Sequence, residues 1–132
     1  MMTFDEVKDF FIKDRFAMVT TGIEILQADE NGVRCSLKTD DRHVNATGHI
    51  MGGAIFTLAD FTFAVASNIG GVPTVTLSSS ITYLSSPKGD TLFSEIKLLK
   101  DGKRACFYEI SITDNLGNKV ASVTSTGMRL AK

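Results

Sequence analysis

No run in this 132-residue chain approaches the roughly 20 consecutive apolar residues that a membrane-spanning helix needs, so no helical span is expected. Charge of one sign is lacking too. Fourteen basic residues stand against 15 acidic ones with no long run of either, which removes the usual footprint of nucleic-acid or membrane-surface binding. Cysteine is scarce: Cys35 and Cys106 have no metal-ligand spacing and sit in alternating, strand-like segments. Such thiols behave as small apolar residues, so we expect no metal site and a reducing, cytoplasmic setting. The opening Met1-Met2-Thr3-Phe4-Asp5-Glu6-Val7-Lys8 mixes acids and bases, unlike the charged-then-apolar layout of a secretion signal. What remains is one soluble domain over residues 1–132, 43% hydrophobic and long enough to bury its own core, with small-molecule chemistry as the default.

The periodicity then sets out the elements. Thr3 and Glu6 have capping-box spacing, and Phe4, Val7, Phe10 and Phe11 follow at helical intervals, predicting a short amphipathic helix. From Ile23 the period falls to two. Ile23 and Ile25, the turn Asp29-Glu30-Asn31-Gly32, then Val33, Cys35 and Leu37 make a first hairpin. Residues 40–50 are polar and read as an exposed loop able to carry function. After Met51-Gly52-Gly53, the stretch from Ala54 to about Ile69 is rich in Ala, Leu and Phe, proline-free, and apolar on nearly every side of a helical wheel, as in a buried helix. Gly70-Gly71 and Pro73 end it. Four strands follow, Thr74 to Tyr83, Thr91 to Leu99, Arg104 to Thr113 and Lys119 to Leu130, whose short connections are expected to make antiparallel neighbours. The fold class is α+β, a long central helix wrapped by a curved antiparallel sheet.

Within the apolar helix one carboxylate stands out, Asp60 in Phe56-Thr57-Leu58-Ala59-Asp60-Phe61-Thr62-Phe63-Ala64. It either lies on a thin solvated stripe or serves as a base or nucleophile with a raised pKa. Gly52 and Gly53 at the head of that helix supply unpaired N–H groups, open access and the positive end of the helix dipole, which suits an oxyanion hole; glycine is also an ordinary N-terminal helix residue. Gly53 and Asp60 lie two turns apart, about 10.5 Å along the axis, so one substrate carbonyl cannot touch both. If two copies pack their central helices antiparallel about a two-fold axis, Gly53 of one faces Asp60 of the other. A homodimer with two composite sites is the expectation.

The run Asn45-Ala46-Thr47-Gly48-His49-Ile50-Met51-Gly52-Gly53-Ala54-Ile55-Phe56-Thr57-Leu58-Ala59-Asp60 resembles the signature of hotdog-fold thioesterases of the PaaI (phenylacetate-degradation) type. Ile81-Thr82-Tyr83-Leu84 with Ser86-Pro87, Lys103-Arg104, and the turn Asp114-Asn115-Leu116-Gly117 extend the resemblance over nearly the whole chain. In that family Asn-x-x-Gly-x-x-His-Gly-Gly leads into the central helix, and an Asp or Glu nine residues after the His does the chemistry; here that position is Asp60. The resemblance implies an acyl-CoA thioesterase in which Asp60 activates water or attacks the thioester, the Gly53 amide polarises the carbonyl, and Asn45 holds the carbonyl or the water. It also implies that the hydroxyl of Thr76, at the substrate-binding site, helps orient the nucleophile, with Ser78 on the same strand face as substitute. Acyl contacts fall to Met51, Gly52, Phe56, Phe61 or Phe63. Coenzyme A contacts fall to Arg104, with Lys88, Lys100, Lys103 and Arg129 as further candidates. Coenzyme A is part of the substrate, no cofactor is implied, and a dimer of dimers is expected.

This chain departs from the pattern at Met51, where the family has histidine. His49, two residues earlier, would point the same way on an extended segment and replace part of the imidazole's role; otherwise it is an exposed loop histidine, and His43 is expected at the surface. A non-catalytic acyl-CoA-binding module is the competing reading. A hydratase would need Asp followed five residues later by His, and neither histidine has that. A purely structural protein ranks last.

Overall fold

The computed structural model describes residues 1–130. Helix α1 spans Phe4–Phe11, and its capping box forms as the sequence suggests: Thr3 Oγ1 accepts from the Glu6 N–H and Glu6 Oε1 accepts from the Thr3 N–H. Val7 and Phe11 are its buried face. A π-helical turn over Phe16–Thr21, which the periodicity did not reveal, leads into β1 (Ile23–Asp29) and β2 (Gly32–Lys38). A short 3-10 turn, Asp41–His43, interrupts the loop before α2 (Gly52–Asn68). Then come β3 (Thr74–Tyr83), β4 (Thr91–Asp101), β5 (Ala105–Asp114) and β6 (Lys119–Arg129).

The six strands form one antiparallel sheet in the order β1-β2-β4-β5-β6-β3. The expectation that β3 and β4 are neighbours is therefore corrected. Their link crosses the ends of β6 and β5 and puts β3 on the far edge. The crossing is anchored on the way: Leu84 N–H donates to the Val120 carbonyl, and Lys88 and Gly89 N–H donate to the Asp114 carboxylate. Burial works to raise the Asp114 pKa, but the donors from Lys88, Asn118 and Gly89 outweigh it and hold the carboxyl well below the ordinary range.

Helix α2 lies against the inner face of the curled sheet. Leu58, Phe63 and Val65 pack with Leu37, Leu92, Ile110, Ile112 and Val123 in a core where each is nearly or fully out of solvent. The hydroxyls of Thr57, Thr62 and Ser67 donate back to carbonyls four residues earlier, which lets polar side chains share an apolar helix. At Gly127 a Cβ would sit 2.7 Å from the Phe63 ring and 3.0 Å from Cys106 Sγ, so glycine there lets β6 approach the helix. Both cysteines are free and buried, and burial, partly offset by the Thr62 and Ser94 hydroxyls, pushes the Cys35 thiol up to about 11.

Candidate active site

One stripe of α2 escapes the sheet. Gly53 is exposed, and Phe56, Thr57, Asp60 and Ala64 are half-buried, whereas Ile55, Leu58, Ala59, Phe61, Thr62 and Phe63 are buried. Asp60 thus occupies the solvated stripe that its position in an apolar helix required, and it shares that stripe with Gly53.

The head of α2 has Met51 as its N-cap and no side-chain cap. The Ala54 and Ile55 N–H groups reach the Met51 carbonyl; those of Gly52 and Gly53 fall in the first turn, where a helix supplies no partner. The two glycines have different reasons to be glycine. A Cβ on Gly52 would meet the Tyr83 ring at 2.9 Å, and the Tyr83 hydroxyl donates to the Gly52 carbonyl at 2.8 Å. A Cβ on Gly53 would meet only the end of the Met51 side chain, at 3.6 Å. Packing explains Gly52; at Gly53 the missing side chain simply leaves the amide open.

His43, expected at the surface, is only 4% exposed and braces this helix start. Its Nδ1 accepts from the Asp40 N–H at 2.9 Å, so Nε2 carries the proton and donates to the Thr21 carbonyl at 2.7 Å. The same residue's carbonyl accepts the Met51 N–H at 2.8 Å. Arg42 adds a second tie. Its guanidinium pairs with the Asp40 carboxylate at 3.0 Å and donates to the Thr20 carbonyl, and these contacts hold Asp40 down at about 2.

Two cavities flank the stripe. The first, about 490 Å³, lies beside Gly53 between Phe16, Thr20, Val44, Met51, Ala54 and Thr57; Met51 is 56% exposed at its edge. The second, about 300 Å³, holds Asp60 with Asp14, Phe16, Thr57, Phe61 and Ala64. The Asp60 carboxylate accepts no hydrogen bond and joins no ion pair among the described residues. Burial, and after it the nearby Asp14 charge, raises its pKa; Asp14 is itself raised by burial. Asp14 went unnoticed in the sequence because it lies in the short link between α1 and the π-helical turn, where no periodicity marks a face.

The remaining candidates scatter. Asn45 Oδ1 accepts from the Thr47 N–H, the Thr47 hydroxyl and the His49 N–H, making Asn45 the organiser of its own loop. It shares a third cavity, about 520 Å³, with His49, Gly52 and Tyr83 rather than with Gly53. Residues 46–49 turn instead of extending, so His49 faces that cavity while Met51 faces the one at Gly53; the idea that the two point alike is corrected. Thr76 pairs with Gly127 on the helix-facing side, but a bulge at Leu77 puts Ser78 opposite Thr126, on the outer face. Ser79, whose hydroxyl bonds that of Ser125 at 2.8 Å, takes the inward place expected of Ser78. Phe56 is half-buried against the core, Phe61 walls the Asp60 cavity, and Phe63 is a core ring against Tyr108. Arg104 is exposed on the β4–β5 turn, at the end of the molecule remote from Gly53, and Arg129 there is tied to Asp101 and to the Ser67 carbonyl. Among the described residues no group of three His, Cys, Asp or Glu could hold a metal ion, and no helix is long and apolar enough to cross a membrane.

Against this geometry, the thioesterase superfamily family model matches residues 47–121, from the loop through α2 to β6. The chain belongs to that superfamily. Human acyl-coenzyme A thioesterase 13 is 32% identical over 80% of this chain and 77% of its own length, and the acyl-coenzyme A thioesterase PaaI of Escherichia coli is 31% identical over 76% and 72%. The E. coli PaaI structure superposes with a TM-score of 0.87 at 25% identity, covering 96% of this chain and 92% of that one. A thioesterase structure from Streptococcus pneumoniae with coenzyme A gives 0.84 at 26% identity, covering 92% and 98%. The fold is the hotdog fold, and the thioesterase is of the PaaI type, a thioester hydrolase.

Proposed function

We propose that this thioesterase hydrolyses acyl-CoA at a site made by two copies of the chain. The Gly53 amide of one copy polarises the thioester carbonyl, and Asp60 of the other acts on the carbonyl carbon or through a water. In the general-base form, Asp60 takes a proton as the water oxygen bonds to the carbonyl carbon. The C–S bond then breaks, and the departing thiolate receives that proton, giving free acid and coenzyme A. The reading rests on one observation: Gly53 and Asp60 share an open stripe of α2 yet stand two turns, about 10.5 Å, apart. A second copy is favoured by β3, a ten-residue edge strand with Val75 and Leu77 exposed and, among the described residues, no strand on its outer side. Asn45 retains a side-chain NH₂ that could donate to the carbonyl or water once its oxygen is spent on the loop.

The acyl group we assign is uncharged. The one charged side chain in the Gly53 cavity, Arg42, is already neutralised by Asp40, and Thr57 spends its hydroxyl on the Gly53 carbonyl. The relatives named for acyl-coenzyme A, and the relative solved with coenzyme A, supply the thiol half of the substrate. Met51 brings a thioether where the family motif has imidazole, so carbonyl polarisation rests on the Gly53 amide. The buried thiols Cys35 and Cys106 support a reducing, cytoplasmic setting.

The test is coenzyme A release from a panel of acyl-CoA thioesters by the purified chain and by Asp60→Asn. We expect a loss of about 10²- to 10⁴-fold in kcat with the oligomer intact. Wild-type turnover by the variant would remove Asp60 from the chemistry.

A further inference from the structure

The cavity at Gly53 and the cavity at Asp60 have two residues in common, Phe16 and Thr57. Thr57 is fixed, because its hydroxyl donates to the Gly53 carbonyl at 2.7 Å within the same helix. Phe16 is placed differently. It is 66% exposed, and its ring packs on no other aromatic ring among the described residues, while Phe11 packs against Phe61 and Phe63 against Tyr108.

The backbone beneath that ring is held firmly. Phe16 opens the π-helical turn, which closes with the Gly22 N–H on the Ala17 carbonyl at 3.1 Å, a five-residue reach. The Thr20 carbonyl accepts from Arg42 at 3.1 Å and the Thr21 carbonyl from His43 at 2.7 Å, so the turn is strapped to the loop that leads into α2. Single π-helical turns are uncommon and gather at functional sites, where the wider turn displaces a side chain from the place an α-helix would give it. Here the turn opens with an apolar ring that borders both the cavity at the exposed Gly53 and the cavity of the Asp60 carboxylate.

We infer that Phe16 is the residue that sets the size of the acyl group this enzyme accepts. The inference rests on the proposed acyl-CoA site, and it holds for either arrangement of that site. In a composite site, Phe16 of one chain walls the Gly53 cavity and Phe16 of the second walls the Asp60 cavity; in a site within one chain, a single ring walls both. Removing the ring opens the two spaces, about 490 and 300 Å³, into one another. Replacing it with a larger ring closes them further.

The experiment compares the full-length chain, Phe16→Ala and Phe16→Trp on saturated acyl-CoAs of rising length together with phenylacetyl-CoA, reading kcat/KM for each. One methylene in an apolar pocket is worth about 10- to 200-fold. Phe16→Ala is thus expected to raise the long-to-short ratio of kcat/KM by about 10-fold or more, and Phe16→Trp to lower it. Equal scaling of every substrate in both variants would overturn the inference and leave Phe16 a structural residue. The same panel is titrated for binding in an Asp60→Asn background, where Kd should shift with acyl length in the same sense. A Kd profile that moves with Phe16 although the wild-type chain hydrolyses no thioester would sink the catalytic assignment and keep the wall. A Kd profile indifferent to Phe16 would sink the wall, whatever the turnover.

Discussion

The two ends of α2 are built on opposite plans. At its C-terminal end the polar side chains are paired: Asn68 accepts from the Thr74 N–H and donates to the Ala64 carbonyl, Thr74 Oγ1 donates to the Ser67 carbonyl, and Arg129 joins Ser67, Thr74 and Asp101. A cavity of about 540 Å³, larger than either of the two that flank the stripe, is at that end, yet its strongest donor is already spent. At the N-terminal end the first turn has no side-chain cap and Gly53 has no side chain, and at mid-helix on the same stripe Asp60 has no partner among the described residues. The proposed acyl-CoA site takes the side of the helix whose polar groups are left open. Cavity size alone would point instead to the end whose donors are spent.

That contrast can be broken by one substitution at each end. His43→Phe keeps the ring but removes the strut between the Thr21 carbonyl and the Met51 helix start. We expect kcat to fall by about 10- to 100-fold at temperatures where the chain stays folded, because a small displacement of the polarising amide is costly. Arg129→Leu strips partners from Ser67, Thr74 and Asp101. It should cost on the order of 1–3 kcal/mol in denaturant unfolding and leave kcat unchanged. Equal effects of the two on kcat would mean that the ends do not differ in role.

Most of the architecture was legible because it is periodic. The Thr3–Glu6 capping box and β3 from Thr74 to Tyr83 stand where the sequence put them, and α2 starts only two residues early, at Gly52. What was not legible depends on tertiary pairing. The bulge at Leu77 reverses the facing of Ser78, the crossing over Asp114 separates β3 from β4, and the buried place of His43 is fixed by a carbonyl 22 positions away. Asp14 was missed for the same reason: only the tertiary packing of the link after α1 brings it to Asp60.

A smaller effect sharpens the open end. Because the Asp14 charge helps raise Asp60, Asp14→Asn should move the acid limb of the kcat/KM profile to lower pH, the ionised Asp60 being the active form. The sign for stability follows from the same raised values. What protonation of these two carboxyls contributes to the fold is fully present below the unfolded carboxylate pKa, about 3.9, and is lost as pH rises through their raised folded values. Asp60→Asn should therefore melt higher than wild type at neutral pH, with the gap closing in acid. An unmoved acid limb in Asp14→Asn would show that burial alone governs Asp60.

The central claim, that Gly53 of one chain works with Asp60 of another, is tested most directly by mixing two inactive variants, Asp60→Asn and Gly53→Val. The Cβ of a valine at 53 meets only the flexible end of Met51, and its methyls are expected to cover the amide. After subunit exchange, each mixed dimer would hold one site with both groups intact, and coenzyme A release should return to about one quarter of the wild-type rate for statistical pairing. If exchange is complete and no activity returns, both groups serve from a single chain and the composite site is wrong.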